Sequence, residues 1–329
     1  MSISRIGHIL PAVTYAADLS AIRAAHARVR EHIHRTPVLT SRAIDGWVGR
    51  TLFFKCEPFQ RTGSFKMRGA LNAVLSLSDE RAAAGVVTHS SGNFAQALAL
   101  SASLRGIPAH IVMPSNSPQV KRQAVAGYGG RITLCEPTLA AREESAARLV
   151  ADTGGTLLHP FDHPDVIAGH GTLALELVEQ VPDLDAVVVP IGGGGLVSGI
   201  ALALAELSPS LRVFAAEPAG ADDAARSKAA GRLIPQEDPR TIADGLLTSM
   251  GQHTWPVVRD LVERVLVVDD SAIREAMQRI WTRMKVLVEP SAAVPLAAVA
   301  SEGFRELDGL QRVAVVLSGG NLDLEQLKQ

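Results

Sequence analysis

Cysteine is scarce in this sequence, with two among 329 residues, and neither Cys56 nor Cys135 has a second cysteine or a histidine cluster beside it. That leaves no thiol-based metal or redox motif. Both cysteines fall in alternating apolar segments that read as strands, so buried free thiols are expected. An excess of one charge is also missing: 32 Lys and Arg stand against 34 Asp and Glu. No broad field exists to hold nucleic acid or an anionic membrane, which points to a small-molecule partner. No apolar run approaches the length of a membrane span. The N-terminus lacks the basic, apolar and small-residue regions of a signal peptide, so a cytoplasmic location is expected. Repeats and low-complexity linkers are absent too.

What remains is a composition of 47% hydrophobic and 20% charged residues, over a length that predicts two domains with sizeable cores. Helical spacing runs from Asp18 to His34 and stops before Thr36-Pro37. Thr51 to Glu57 alternates as a strand. Strands at 85–90, 109–113 and 131–136 then alternate with helices at 92–105, 118–127 and 139–152. This β-α-β-α-β-α run is the signature of a parallel sheet and predicts a small domain, 77–156, inserted within a larger one formed by 1–76 and 157–329. The larger part continues with a helix over 166–180, a strand over 186–191, a helix over 195–207 and a strand over 212–217. Helices over 255–264, 271–284 and 291–301 and a strand over 312–317 complete it.

The chain is organised around Gln60-Arg-Thr-Gly-Ser-Phe-Lys-Met-Arg-Gly-Ala-Leu-Asn72. A Gly-Ser turn runs into a helical pattern with Lys66 in its first turn. There the helix dipole and burial both disfavour an ammonium. A neutral amine is what a carbonyl cofactor needs to form a Schiff base. An ordinary exposed lysine at a helix start has the same local pattern, so three further stretches decide. Ala186 to Leu196 is a buried strand emptying into four glycines, Gly192 to Gly195, at a helix start, where backbone N–H groups converge as a phosphate cradle. Glu217, at the end of the next strand, leaves a dinucleotide reading open, although the glycine spacing is not GxGxxG. His89-Ser-Ser-Gly-Asn-Phe-Ala95 offers hydroxyls, N–H groups and an amide at another helix start, a seat for a carboxylate. Val313 to Asn321 places Ser318 at the C-terminal end of a buried strand, able to hydrogen-bond a ring nitrogen without charging it. Glu217-Pro-Ala-Gly-Ala-Asp-Asp223 sets two acids and intervening carbonyls in one turn, a hard-oxygen site for Mg²⁺ or Ca²⁺ or else a solvated acidic loop.

Together these residues resemble the fold-type II pyridoxal-phosphate enzymes, most closely the serine racemase and serine/threonine dehydratase group. The resemblance extends from about Asp18 to Asp323. It is carried by TPVLTS (Thr36–Ser41), GSFKMRGALNAV (Gly63–Val74), THSSGN (Thr88–Asn93), VIAGHGT (Val166–Thr172), GGGGL (Gly192–Leu196), TIADG (Thr241–Gly245), VEPS (Val288–Ser291) and SGGN (Ser318–Asn321). It implies two α/β domains, each a parallel sheet with helices on both faces, with the active site in the cleft between them, and a homodimer. It further implies that Lys66 holds pyridoxal 5′-phosphate and serves as the base at Cα, and that Phe65 lies against the pyridine ring. Asn93 would bond the 3′ oxygen, Gly192, Gly193, Gly194, Gly195 and Leu196 the phosphate. Gly245 would touch the cofactor, and Ser318 would face the ring nitrogen. Ser90, Ser91, Gly92, Asn93, Phe94 and Arg142 would meet the substrate, with Ser91 acting on the opposite face of Cα. Glu217, the Ala221 carbonyl and Asp223 match the group's divalent-metal site. Gln96 and Lys121 match positions near a nucleotide site in racemases.

One departure stands out. The residue after the Asn of SSGN is usually His in this family, and here it is Phe94 followed by Ala95. Phe withdraws a hydrogen-bond donor from the substrate side chain and offers an aromatic face worth roughly 0.5–1.5 kcal/mol to another ring. The expectation is therefore a dehydratase releasing a 2-oxo acid and ammonia from a 3-hydroxy amino acid. An apolar or aromatic 3-substituent, as in 3-phenylserine, is favoured, with serine and threonine as further substrates. The alternatives are an amino-acid racemase, a 3-hydroxyaspartate dehydratase and, from another class, a non-catalytic nucleotide- or cofactor-binding protein.

Overall fold

The computed structural model describes residues 14–323, so the N-terminus read above for a leader lies outside the described residues. Ten strands fall within them: β1 (Val38–Leu39), β2 (Thr51–Cys56), β3 (Val86–His89), β4 (Ala109–Pro114), β5 (Arg131–Cys135), β6 (Thr156–Leu157), β7 (Ala186–Pro190), β8 (Arg212–Pro218), β9 (Arg264–Val268) and β10 (Arg312–Leu317). Six form a sheet in the order β1-β2-β10-β7-β8-β9, and four form a second in the order β5-β4-β3-β6. All pairings are parallel except the short β1–β2 contact. Parallel neighbours need long crossovers, and helices supply them.

The middle of the large sheet follows from composition. Ala186-Val-Val-Val-Pro190 is buried at every position, as is Val313 to Leu317, so neither strand has a face for solvent. Such strands require cover on both sides. On one face Val187, Val189 and Val316 pack with Ile167, Leu196 and Ile200 from helices Pro164–Gln180 and Gly195–Leu207. On the other, Val188, Phe214 and Val315 meet Val294 and Leu296 from helix Pro290–Ala300.

A third cluster joins Met67, Leu71 and Val74 of helix Lys66–Leu75 to Val86, Leu98 and Ile111 around the small sheet. The helix that begins at Lys66 thus packs on helix Asn93–Arg105, next to the small sheet, although it precedes both in sequence. Its other side approaches helix Pro164–Gln180 so closely that a Cβ on Gly169 would fall 2.5 Å from the Arg68 carbonyl oxygen. Beneath it lies a buried ionic cluster. Arg68 donates to Glu57 at 2.8 and 2.9 Å and to Glu176 at 2.7 and 2.8 Å, while Lys55 Nζ donates to Glu176 at 2.6 Å. Two cations face two carboxylates, so the cluster is neutral, but deleting one member would strand a buried charge at a cost of about 3–5 kcal/mol. This ties Arg68, two residues after Lys66, to the residue that follows β2 and to helix Pro164–Gln180.

Several boundaries differ from expectation. The helix expected over 255–264 is Thr254–Leu261, and Arg264–Val268 is instead the edge strand β9, where Val265 is buried and Val267 faces solvent. The helix expected over 271–284 is Asp270–Arg279, followed by a π-helical turn over Ile280–Met284 that ends on Lys285 at φ 61°. The first helix ends at Val29, short of His34. β6, a two-residue strand, pairs with β3. Cys56 is buried and its thiol is pushed up to about 12 by desolvation. Cys135 is only partly buried, because β5 is an edge strand. No helix among the described residues is long and apolar enough to cross a membrane.

Candidate active site

Lys66 opens helix Lys66–Leu75, and its Nζ donates to the Pro160 carbonyl at 2.9 Å. Three aromatic rings surround it, with centroids at 4.9 Å (Phe65), 5.9 Å (Phe94) and 6.0 Å (Phe161). Desolvation pushes the amine down to about 8 against the opposing pull of Glu289. Local backbone prepares this position: Thr62 sits at φ 60° and Gly63 at φ 72°. A threonine there costs on the order of 1–3 kcal/mol and persists only where the surroundings impose it. The surroundings are the turn after β10. Phe65 N donates to the Ser318 carbonyl at 3.0 Å and Gly320 N to the Gly63 carbonyl at 2.9 Å. Ser318, 3% exposed, is thereby set beside Phe65. Behind Phe65 the His170 ring stands edge-on at 4.7 Å; it is fully buried, neither nitrogen has a hydrogen-bond partner among the described residues, and burial holds it well below its ordinary value.

Asn93 begins helix Asn93–Arg105, and its amide is oriented on both sides. Its Nδ2 donates to Glu289 at 2.9 and 3.2 Å, and its Oδ1 accepts from Asn321 Nδ2 at 2.8 Å. Glu289, 5% exposed, is pushed up to about 7 by burial first and by Asp244 second, with the Asn93 bond opposing. Sequence reading gave Glu289 no role. Its only signal was membership of the VEPS stretch.

The run Gly192 to Gly195 sits between β7 and helix Gly195–Leu207, whose N-cap, Gly194 at φ 85°, brings no side chain to the first turn. Those N–H groups remain for an anion. Side chains are excluded by space: a Cβ on Gly193 would lie 2.3 Å from the Phe161 ring, and one on Gly192 2.9 Å from Leu246 Cα. Thr254 Oγ1 donates to the Gly193 carbonyl at 2.8 Å and holds the turn from behind. Gly245 N donates to Ser291 Oγ at 2.9 Å, close to the same turn through Leu246. Leu196 is buried at 4% exposure in the large core.

Ser90, Ser91 and Gly92 form the partly buried turn before Asn93, with Ser90 N bonded to the Val112 carbonyl at 3.1 Å. Phe94 is buried, 2% exposed, within the small-sheet core, with Lys66 Nζ over its ring. Arg142 lies on helix Leu139–Thr153 and its charge, after burial, lowers the neighbouring His89. Gln96 is buried, and Lys121 is paired with Asp244 at 2.7 Å.

The acidic turn follows β8. Glu217 ends inside β8 and accepts from Ala225 N at 2.7 Å and Ala224 N at 3.2 Å. Asp223 Oδ2 accepts from Met250 N at 3.0 Å, whereas its Oδ1 is buried without a partner. Burial pushes Glu217 up to about 8, helped by the Asp223 and Asp222 charges, and Asp223 up to about 6, helped by the Asp222 charge. Ala221 is 1% exposed beside them. Two desolvated carboxylates and an orphaned oxygen fit a small hard cation.

A lysine amine, an anion cradle at a helix start and a fixed amide, held where the turns after parallel strands meet, define an α/β enzyme site for a phosphate-bearing carbonyl cofactor. The family described as pyridoxal-phosphate dependent enzyme matches residues 29–319, and this chain belongs to it. The chain is 53% identical over 316 residues to the serine racemase of Arabidopsis thaliana, covering 95% of this chain and 96% of that one. It is 51% identical over 304 residues to the beta-hydroxyaspartate dehydratase of Paracoccus denitrificans (strain Pd 1222), covering 92% and 96%. The structure of maize serine racemase superposes with a TM-score of 0.94 at 52% identity, covering 96% of this chain and 97% of that one. The fold is fold-type II, with parallel sheets flanked by helices.

Proposed function

We propose that this protein eliminates water from a 3-hydroxy amino acid and releases a 2-oxo acid and ammonia, favouring an apolar or aromatic 3-substituent such as that of 3-phenylserine. The observation that carries the proposal is the Lys66 amine, brought down to about 8 by burial at the mouth of the glycine cradle. Pyridoxal 5′-phosphate, when bound, supplies an aldehyde that captures amines and a ring that spreads negative charge from Cα. Gly192 to Leu196 would bind its phosphate, Asn93 would donate to the 3′ oxygen, and Phe65, Gly245 and Ser318 would border the ring. Lys66 takes the Cα proton. Hydroxide leaves Cβ, so water is lost in sum, and the released enamine takes up water to give ammonia and the 2-oxo acid. Ser318 is a neutral hydroxyl, so it leaves the ring nitrogen uncharged. That makes a weaker electron sink and favours expelling a leaving group over holding charge at Cα.

Serine and threonine are further substrates on this reading. The Phe94 ring, 5.9 Å from Lys66 Nζ, supports the preference for an apolar 3-substituent. Ser90, Ser91, Gly92 and Arg142 are assigned to the substrate, and Ser91 to the face of Cα opposite Lys66. That second base supports racemisation as the other reading, in keeping with the serine racemases among the relatives, and Arg142 with the beta-hydroxyaspartate dehydratase supports 3-hydroxyaspartate as an alternative substrate. Glu217, the Ala221 carbonyl and Asp223 would hold Mg²⁺ or Ca²⁺. We further assign a cytoplasmic location, a homodimer, and a division into 77–156 and the remainder. The deciding experiment is a screen of 3-phenylserine, threonine, serine and 3-hydroxyaspartate for 2-oxo acid release, with chiral analysis of the remaining amino acid. Release from none of them, with inversion of serine, would replace elimination by racemisation. A purified protein that takes up no pyridoxal phosphate would leave only the non-catalytic reading.

A further inference from the structure

Within the segment His159-Pro160-Phe161-Asp162, Pro160 meets Lys66, Phe161 lies over the glycine run, and Asp162 reaches a neighbouring helix. His159 Nδ1 accepts from Asp162 N at 3.0 Å, which fixes a neutral ring with its proton on Nε2, standing edge-on to Phe161 at 4.5 Å. Pro160 offers the carbonyl that receives Lys66 Nζ. Phe161 fills the space over Gly193, and its own carbonyl lies 2.9 Å from where a Cβ on Gly195 would be. Asp162 reaches away from the site. Its carboxylate accepts from Gln252 N at 2.9 Å, His253 N at 2.8 Å and Thr254 N at 3.3 Å. These are the free N–H groups at the start of helix Thr254–Leu261, whose own N-cap, His253, brings no side-chain bond. Gly251 makes the room, since a Cβ there would fall 2.1 Å from Asp162 Cγ. Thr254 then donates from the same turn to the Gly193 carbonyl. The contacts close a ring: Lys66, Pro160, Asp162, Thr254, Gly193 and, through Phe161, back to Lys66.

We propose that Asp162 is the positioning residue that sets the Lys66 amine and the glycine cradle in register, by clasping residues 159–162 onto the start of helix Thr254–Leu261. The proposal rests on the reading of Lys66 and the cradle given above. Asp162 touches neither the amine nor the cradle and acts through Pro160, Phe161 and Thr254. A carboxylate is needed because three N–H groups converge on it, and an amide would turn a donor toward some of them. The competing role is that of a helix cap with no bearing on the site. Asp269 supplies the comparison, since it caps helix Asp270–Arg279 by accepting from Ala272 N at 2.8 Å and has no part in the ring of contacts.

The test compares the full-length parent, Asp162→Ala, Asp162→Asn and Asp269→Ala as apoproteins. Three quantities are measured: melting temperature, Kd for added pyridoxal phosphate, and the pH midpoint of the rate at which the cofactor is captured. Both alanine variants lose a cap and melt earlier. Only the Asp162 variants should weaken cofactor binding, by about 10-fold or more for alanine and less for asparagine, and raise the capture midpoint, because a loosened 159–162 segment admits water to Lys66. A Kd within two-fold of the parent and an unmoved midpoint in Asp162→Ala would overturn the proposal. If that variant does not fold, the same result in Asp162→Asn overturns it. A parent that captures no cofactor removes the reading of Lys66 itself, and the clasp with it.

Discussion

Asn93 Nδ2 and Glu289 Oε1, 196 positions apart in sequence, meet at 2.9 Å beside the candidate lysine. The bond, together with that from Asn321 Nδ2 to Oδ1, fixes the orientation of the Asn93 amide. It also places a carboxyl, raised to about 7, within electrostatic reach of Lys66, whose ammonium it stabilises.

Glu289→Gln tests that coupling. At pH 8 the parent carboxyl is ionised and holds the Lys66 ammonium up, so removing the charge should lower Lys66 below its value of about 8. Capture of pyridoxal phosphate needs the neutral amine, and its pH midpoint should therefore move down in the variant. An unchanged or higher midpoint would show that Glu289 does not act on the lysine.

Lys66→Ala should abolish the visible absorbance of the bound cofactor and reduce turnover by at least the order of 10²–10⁴-fold that a positioned proton-transfer group supplies. Spectra and rates on the reconstituted variant measure both. An unaltered spectrum would remove the basis of the proposed function.

Ser91→Ala should suppress racemisation by about 10²–10⁴-fold while sparing part of the elimination run by Lys66, because each base reaches one face of Cα. Separate assays of 2-oxo acid release and of enantiomer exchange decide it. Equal losses in both, with the cofactor retained, would make Ser91 a substrate-positioning group.

Glu217 and Asp223 predict a pH-dependent stability in metal-free protein. Their folded values, about 8 and about 6, lie above the ordinary 4.5 and 3.8, so the folded state binds more protons than the unfolded one. Stability is full below about pH 4 and is lost as pH rises toward 8. Each kcal/mol lost lowers the melting temperature by about 2–4 °C in chains of 150–250 residues, and somewhat less in a longer one. Mg²⁺ or Ca²⁺ at pH 8 should restore it. Melting curves with and without chelator across this range check the sign; curves that coincide, with normal activity in Asp223→Ala, would retire the metal site.

Phe94→His should shift the ratio of kcat/KM for 3-phenylserine over serine or 3-hydroxyaspartate downward by on the order of 10–200-fold. Because Phe94 is 2% exposed in the small-sheet core, the same change buries an imidazole and should lower the melting temperature as well. A melting shift without any movement of the ratio would assign Phe94 to packing alone.

Much of the architecture was local enough to read from residues in order. The apolar runs of β7 and β10, the alternation around the small sheet and the four glycines before helix Gly195–Leu207 each announce themselves within a dozen positions. So do Lys66 after its Gly-Ser turn and the Glu217–Asp223 turn, because backbone preference and side-chain periodicity act between near neighbours. Tertiary structure alone decided the rest. Glu289 turned toward Asn93, Asp162 reached the start of a helix 90 positions away, and Arg68 found Glu57 and Glu176 in the dry space under the lysine helix. β9 became a strand because β8 offered it an edge, and Phe94 was drawn into the small-sheet core. A buried polar group is set by the partner that satisfies it, and these partners come from distant parts of the chain, where no local pattern records the pairing.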